Sequence, residues 1–198
     1  MACDGAWAII QVATPLDAED QSLVTLAVAS QDTAAYGELI RRHQSQVRNF
    51  LRKLAGGSTE DADDLAQECF LHAWDKLQTY SGRGSFIGWL LKVAYTTFLQ
   101  SKRKSKRYSE VLNEVGYVAE QQSRSYTQDA DEVSDLDKLL AVLTEEERAI
   151  MVMSYACGLS HREIGDATGL PVGTVKSIIF RGKEKIRTNF DIKDHKHG

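Results

Sequence analysis

The residues best placed to do chemistry in this chain are cations and hydroxyls, and the chemistry they suit is contact with phosphates and base edges. In the stretch S-H-R-E-I-G-D-A-T-G-L-P-V-G-T-V-K-S-I-I-F-R-G-K-E-K-I-R, from Ser160 to Arg187, a helix beginning near Val172 carries Val175, Ile179, Gly182 and Ile186 on one face. The other face is left with Thr174, Lys176, Ser177, Phe180, Arg181 and Lys183. Ammonium and guanidinium groups neutralise phosphates, and an Arg or Lys also reads guanine edges in a major groove. Ser160 and Glu163 form a capping box that starts a preceding helix, Gly169 stops it, and Pro171 keeps it from running on. Two short helices across a glycine turn, the second basic, make a helix-turn-helix. A basic helix face is also a common solvated surface, so the remainder of the chain must decide.

Two further clusters precede it. The loop T-Y-S-G-R-G-S places Tyr80, Ser81, Arg83 and Ser85 ahead of a helix bearing Lys92 and ending in K-R-K-S-K-R, which includes Lys102 and Arg103. Acids gather earlier, at Glu60, Asp61, Asp63, Asp64 and Glu68, where a helix N-terminus alone would favour them. No nucleophile motif or Gly-rich phosphate loop stands out, and the 5 His are scattered. Cys3, Cys69 and Cys157 form no C-x-x-C pair. No catalytic, metal-binding or cofactor-binding residue is therefore assigned.

The 198 residues allow one domain or two small ones, and 42% hydrophobic and 26% charged residues with 2 Pro suit a helix-rich globular chain. No run is apolar enough to cross a bilayer, and the apolar stretch near the start lacks a basic lead, so a cytoplasmic location is expected. A net charge of −4 is unusual for a nucleic-acid binder, but the charges are segregated. No Lys or Arg precedes Arg41, whereas Asp4, Asp17, Glu19, Asp20, Asp32 and Glu38 do.

Helical periodicity and caps give the elements that hold these clusters. A first helix is expected over about Ala18 to Ala29. Asp32 or Thr33 caps a second, striped by Tyr36, Leu39, Ile40, Val47, Leu51 and Leu54 and ended by Gly56-Gly57. Ser58 and Asp61 start a third, whose inner side is Leu65, Cys69, Ala73, Trp74 and Leu77. Ser85 caps a fourth, with Phe86, Trp89, Leu90, Val93, Ala94 and Phe98 inward. From about Ser105 to Ser134 the apolar period lapses, and this stretch reads as a tether, with Asp129, Asp131, Glu132 and Asp135 at its end. Ser134 caps a helix with Leu136, Leu139, Leu140 and Leu143; Thr144 and Glu147 box the next, with Ile150, Met153 and Cys157. The expected fold is all-α. It has an extension over 1–17, a helical domain over 18–107, a flexible linker over 108–133, a four-helix domain containing the helix-turn-helix over 134–190, and a tail over 191–198.

The runs D-D-L-A-Q-E-C-F-L-H-A-W and F-I-G-W-L-L-K-V-A, followed by a basic stretch and then G-T-V-K-S in the helix-turn-helix, resemble bacterial RNA polymerase sigma factors of the small extracytoplasmic-function (ECF) group. The resemblance covers about Asp20 to Phe190. It implies that Asp61, Asp64, Leu65, Gln67, Glu68 and Leu71, with Phe70 and Trp74 in the same run, belong to a helix that docks on the clamp helices of the polymerase's largest subunit. It implies that Tyr80, Ser81, Arg83, Ser85, Lys92, Lys102 and Arg103 meet the downstream (minus-ten) promoter element, with Lys104, Lys106 and Arg107 holding phosphates. Phe86 and Trp89 lie on the apolar stripe and suit core packing, which leaves Tyr80, Arg83 and Lys92 freer for DNA. It places Thr174, Lys176, Ser177, Phe180, Arg181 and Lys183 on the upstream (minus-thirty-five) element. Implied partners are core polymerase, including the flap of its second-largest subunit, promoter DNA and an anti-sigma factor, with no membrane insertion. The chain departs from the pattern at Tyr95, Thr96 and Thr97, where Arg-Asn is common, at Ile178, where Arg is common, and at Gly165, where Ala is usual. A dimeric helix-turn-helix regulator independent of polymerase, and a protein-sequestering module, are the alternatives.

Overall fold

The computed structural model describes residues 15–56, 58–114 and 135–190. The extension, most of the tether with Asp129, Asp131 and Glu132, the Ser134 cap, Gly57 and the tail lie outside the described residues. Every regular element among the described residues is helical.

The first lobe comprises α1 (Pro15–Ser30), α2 (Thr33–Leu54), α3 (Thr59–Lys76), a 3-10 turn (Leu77–Thr79) and α4 (Phe86–Glu114). Pro15 opens α1, where its missing N–H costs nothing. Gln31 turns the chain with φ 51°, and the Asp32 carboxylate accepts from the Ala34 and Ala35 amides to start α2. Leu39, Val47, Leu51 and Leu54 from α2, Leu65, Cys69 and Ala73 from α3, and Phe86, Leu90, Ala94 and Phe98 from α4 meet in one buried cluster. The α1–α2 seam also holds a buried polar pair: His43 Nε2 lies 2.6 Å from Asp20 Oδ2, and Arg42 reaches Glu19 at 2.9 Å.

The second lobe comprises α5 (Asp135–Ala141), α6 (Glu145–Tyr155), α7 (His161–Thr168) and α8 (Val172–Phe190). Both expected capping boxes form, Thr144 with Glu147 and Ser160 with Glu163. Gly169 closes α7 in the left-handed region at φ 78°. The buried Arg148 donates to the Leu140 carbonyl (3.2 Å) and the Leu143 carbonyl (3.4 Å), satisfying the C-terminal end of α5. Lys185 binds Glu147 at 2.7 Å and ties α8 to α6.

Two expectations need correction. The α4 helix runs on to Glu114, so residues 105–114 are not a structureless tether. Nothing in S-K-R-Y-S-E-V-L-N-E breaks a helix, and Lys106 sits 4.0 Å from Glu110 one turn on. The apolar stripe lapses there because, among the described residues, this end of α4 packs against no other element, leaving Tyr108 and Val111 exposed. In α5, Leu136 faces out at 47% exposure, and Leu140 and Leu143 alone of that stripe are buried.

Candidate nucleic-acid interface

On α8 the expected division of faces is present. Val175, Ile179 and Gly182 are buried and Ile186 half-buried, while Lys176, Ser177, Phe180, Arg181 and Lys183 are exposed and Thr174 half-buried. Phe180 is 66% exposed, a large aromatic ring on the surface of α8. Ser177 donates to the Gly173 carbonyl at 3.0 Å, which leaves its oxygen free to accept. The Lys183 ammonium lies 5.1 Å from the centre of the Tyr155 ring, so it is held beside the helix-turn-helix.

At the start of α4 the loop is braced by aromatics. The Tyr80 hydroxyl donates to the Gly84 carbonyl at 3.1 Å, and its ring meets Phe86 edge-on at 5.5 Å and Trp89 at 5.9 Å. Gly82 and Gly84 take φ 70° and 77°, left-handed conformations that favour glycine, and the end of the Gln21 side chain of α1 lies against Gly82. Ser81 and Arg83 are exposed at the tip, as are Lys92, Lys102 and Arg103 along α4. Tyr80 is thus half-buried and committed to the aromatic cluster, not free as its position in the loop suggested. Phe86 is fully buried, in line with its place on the apolar stripe.

On α3, Asp64, Gln67, Glu68 and Leu71 recur at helical spacing on one exposed stripe, with Leu71 at 69% exposure. Asp61 is half-buried at the helix start, where its amide donates to Ser58 Oγ at 3.2 Å. Leu65 belongs elsewhere: at 9% exposure it is part of the core and supports the stripe from within. Phe70 and Trp74 are partly buried, with the Tyr36 ring tilted against Trp74 at 4.9 Å between centres and its hydroxyl donating to the Phe70 carbonyl at 2.5 Å. Burial, reinforced by Cys69 and Asp75, pushes the Tyr36 hydroxyl well above its ordinary pKa and keeps it a neutral donor.

Residues 39–108 match the family described as Sigma-70 region 2, and residues 134–186 match Sigma-70, region 4. The ECF RNA polymerase sigma factor SigE of Mycolicibacterium smegmatis is 32% identical over 80% of this chain and 64% of its own length. The chain belongs to the ECF sigma factors. RpoE of Cereibacter sphaeroides is 28% identical over 79% of this chain and 87% of that protein. The chain thus spans slightly less than two thirds of the SigE relative and most of the RpoE one. Two solved structures share the fold. One is sigma factor RpoE of Bartonella quintana, crystallised with the anti-sigma factor NepR (TM-score 0.64, 22% identity, 80% of this chain and 98% of that one). The other is CnrH in complex with the cytosolic domain of CnrY (TM-score 0.64, 24% identity, 87% and 97%).

The departures from the ECF pattern acquire physical reasons. Ile178 is buried at 4% exposure, so this position of the sigma factor feeds the core of its second lobe instead of contacting DNA. Tyr95 and Thr97 are buried too, with Thr97 3.2 Å from His72, while Thr96 donates to the Lys92 carbonyl at 2.8 Å. At Gly165 a Cβ would stand 2.8 Å from the Leu170 carbonyl oxygen, so the tight turn of this helix-turn-helix excludes the usual alanine. Among the described residues no group of His, Cys, Asp and Glu is arranged to hold a metal, and no helix is long and apolar enough to cross a membrane. Sequence reasoning missed Gln46, Lys53, Asp137 and Glu145, and the second role of Glu163, all of which join the two lobes. No local signal marks such contacts.

Proposed function

We propose that this sigma factor binds core RNA polymerase, recognises a two-part promoter and helps open the DNA, working in the cytoplasm as a dissociable subunit and not as an enzyme. The observation that carries the reading is the pairing of two exposed cationic surfaces, one in each Sigma-70 region, on separate lobes joined through residues 115–134. The α8 face reads the upstream element, with Lys176 and Arg181 as the base- and phosphate-contacting cations and Thr174, Ser177, Phe180 and Lys183 around them. Ser81, Arg83, Ser85 and Lys92 meet the downstream element as it opens, and Lys102 and Arg103 hold its backbone. Tyr80 shapes that loop from below. The stripe Asp64, Gln67, Glu68 and Leu71, an acidic rim around an apolar anchor, docks on the polymerase clamp helices, and the second lobe sits on the flap. An anti-sigma factor, the kind of partner with which NepR-bound RpoE was crystallised, is proposed as the inhibitor.

Run-off transcription with purified core polymerase tests this, followed by mapping of the start sites. Transcripts should begin downstream of a shared two-part motif. Arg181→Ala with Lys176→Ala should lower them ~10–100-fold, as expected when guanine contacts of about 1–3 kcal/mol are lost. A chain that never co-elutes with core polymerase, and binds a palindrome as a dimer, would reject the proposal.

A further inference from the structure

Past Arg181, α8 carries three cations, and the fold treats them differently. Lys185 is held by both oxygens of Glu147, each at 2.7 Å, and Arg187 lies 2.6 Å from Glu184. Those acids offset the charges that they hold. Lys183 makes no ion pair with an acid among the described residues, and its ammonium sits 5.1 Å from the centre of the Tyr155 ring. A ring attracts a cation through its quadrupole without neutralising it, so Lys183 is held in place at full charge.

The packing beneath brings the two together. Gly182 rests on Met151 of α6, where a Cβ on the glycine would stand 3.2 Å from the Met151 sulfur. With α8 drawn in so closely, its next residue, Lys183, comes level with Tyr155, one turn of α6 beyond Met151. Met151, Val152 and Met153 are buried, so Tyr155 projects from an anchored helix. The Tyr155 side chain itself is 57% exposed, and its hydroxyl makes no hydrogen bond among the described residues. At that exposure it adds little to the core. Lys183 follows Lys176 and Phe180 at spacings of four and three, and all three are exposed along one stripe of α8. A phosphate arriving at that stripe meets an ammonium already in position, and a lysine held this way gives up less conformational freedom on binding.

We propose that Tyr155 is a positioning residue for the upstream promoter element, its ring holding the Lys183 ammonium for a backbone phosphate at the edge of that element. The proposal rests on the assignment of α8 to upstream promoter DNA. It extends the DNA-binding apparatus to the end of α6, outside the helix-turn-helix.

A double-mutant cycle on the full chain, assembled with core polymerase, tests it by the affinity for a mapped promoter at stepped salt. Tyr155→Leu should lower affinity about 3-fold at low salt, the effect of losing one exposed cation–ring contact. Tyr155→Phe keeps the ring and should bind as wild type does. Lys183→Ala should weaken binding further and flatten the slope of log affinity against log salt by about one, as loss of one phosphate contact does. With Lys183 already alanine, Tyr155→Leu should cost nothing more. A purely structural role for Tyr155 would lower affinity equally in both backgrounds, and that result overturns the proposal. So does a Phe variant as defective as the Leu variant, or a Leu variant that binds as well as wild type or better. If Lys183→Ala changes neither affinity nor salt slope, there is no contact to position, and the proposal falls while the function proposed above stands. That function fails separately, if Lys176→Ala with Arg181→Ala leaves promoter-specific transcription unchanged, and the role of Tyr155 then falls with it.

Discussion

At the scale of single residues, exposure separates the side chains that support the fold from those kept for partners. Leu65 and Leu71 lie on the same helix and have the same chemistry, yet one is in the core and the other is 69% exposed. Leu71→Ala should therefore leave thermal stability within about 0.5 kcal/mol of wild type, because nothing packed is lost. It should weaken core polymerase binding about 10-fold or more, as removal of an apolar anchor does, in a pull-down titration. Glu163 and Glu147 make the matching case for charge. In both, burial pushes the carboxyl up, but hydrogen bonds win: those from Ser85 and Ser160 at Glu163, and those from Lys185 and Thr144 at Glu147. The folded carboxyl is then more acidic than the unfolded one near 4.5, so the folded state binds fewer protons. Their stabilisation is fully present above pH 4.5 and is lost as pH falls through the folded value. Urea denaturation at stepped pH should show Glu163→Gln losing less stability than wild type on the acid side of 4.5 and running parallel to it near neutrality.

At the scale of elements, most of what the structure contains can be read from caps and stripes. Asp32, Ser58, Thr144 and Ser160 each start a helix where their types and spacing place one, and Gly169 ends α7 in the conformation glycine tolerates best. The far end of α4 escaped because a stripe reports burial, not helicity, and a helix projecting into solvent has none. Gly165 escaped for the opposite reason. Helix propensity sees a glycine costing about 1 kcal/mol, whereas the decisive contact lies across the turn, with Leu170. Gly165→Ala would recover that propensity but force the Leu170 carbonyl away, an overpacking cost of about 1–3 kcal/mol. The net effect should be destabilising by about 1 kcal/mol, seen as a Tm lower by about 2–4 °C in a chain of this size. A rise in Tm would mean that the turn relaxes freely.

At the scale of the molecule, the two lobes are legible in sequence but their docking is not. Glu163 and Ser85 are 78 residues apart in sequence, and Gln46 and Cys157 are 111 apart, with residues 115–134 intervening. No periodicity couples positions so distant. The docking nonetheless has a thermodynamic signature. The second lobe, residues 135–190, is about the size at which a lone hydrophobic core is marginal, so it depends on what it leans against. The second lobe has no Trp, and Trp74 packs inside the first lobe beside Tyr36, so in a Trp7→Phe, Trp89→Phe background indole fluorescence reports the first lobe alone. Far-ultraviolet circular dichroism reports helices in both. In that background, a shared interface makes the two lobes melt together, and the two probes should trace one coincident transition. Removing three interlobe side chains with Gln46→Ala, Lys53→Ala and Lys102→Ala deletes one hydrogen bond and two ion pairs, at 3.2, 2.7 and 2.8 Å, without touching the buried apolar cluster to which both lobes contribute. The exposed Lys102 pair contributes least of the three, and the partly buried Lys53 pair should carry more of the loss. The second lobe should then melt first, so that ellipticity falls at temperatures where indole fluorescence is still native. Coincident curves in the triple variant would mean that the side chains named here do not hold the lobes together.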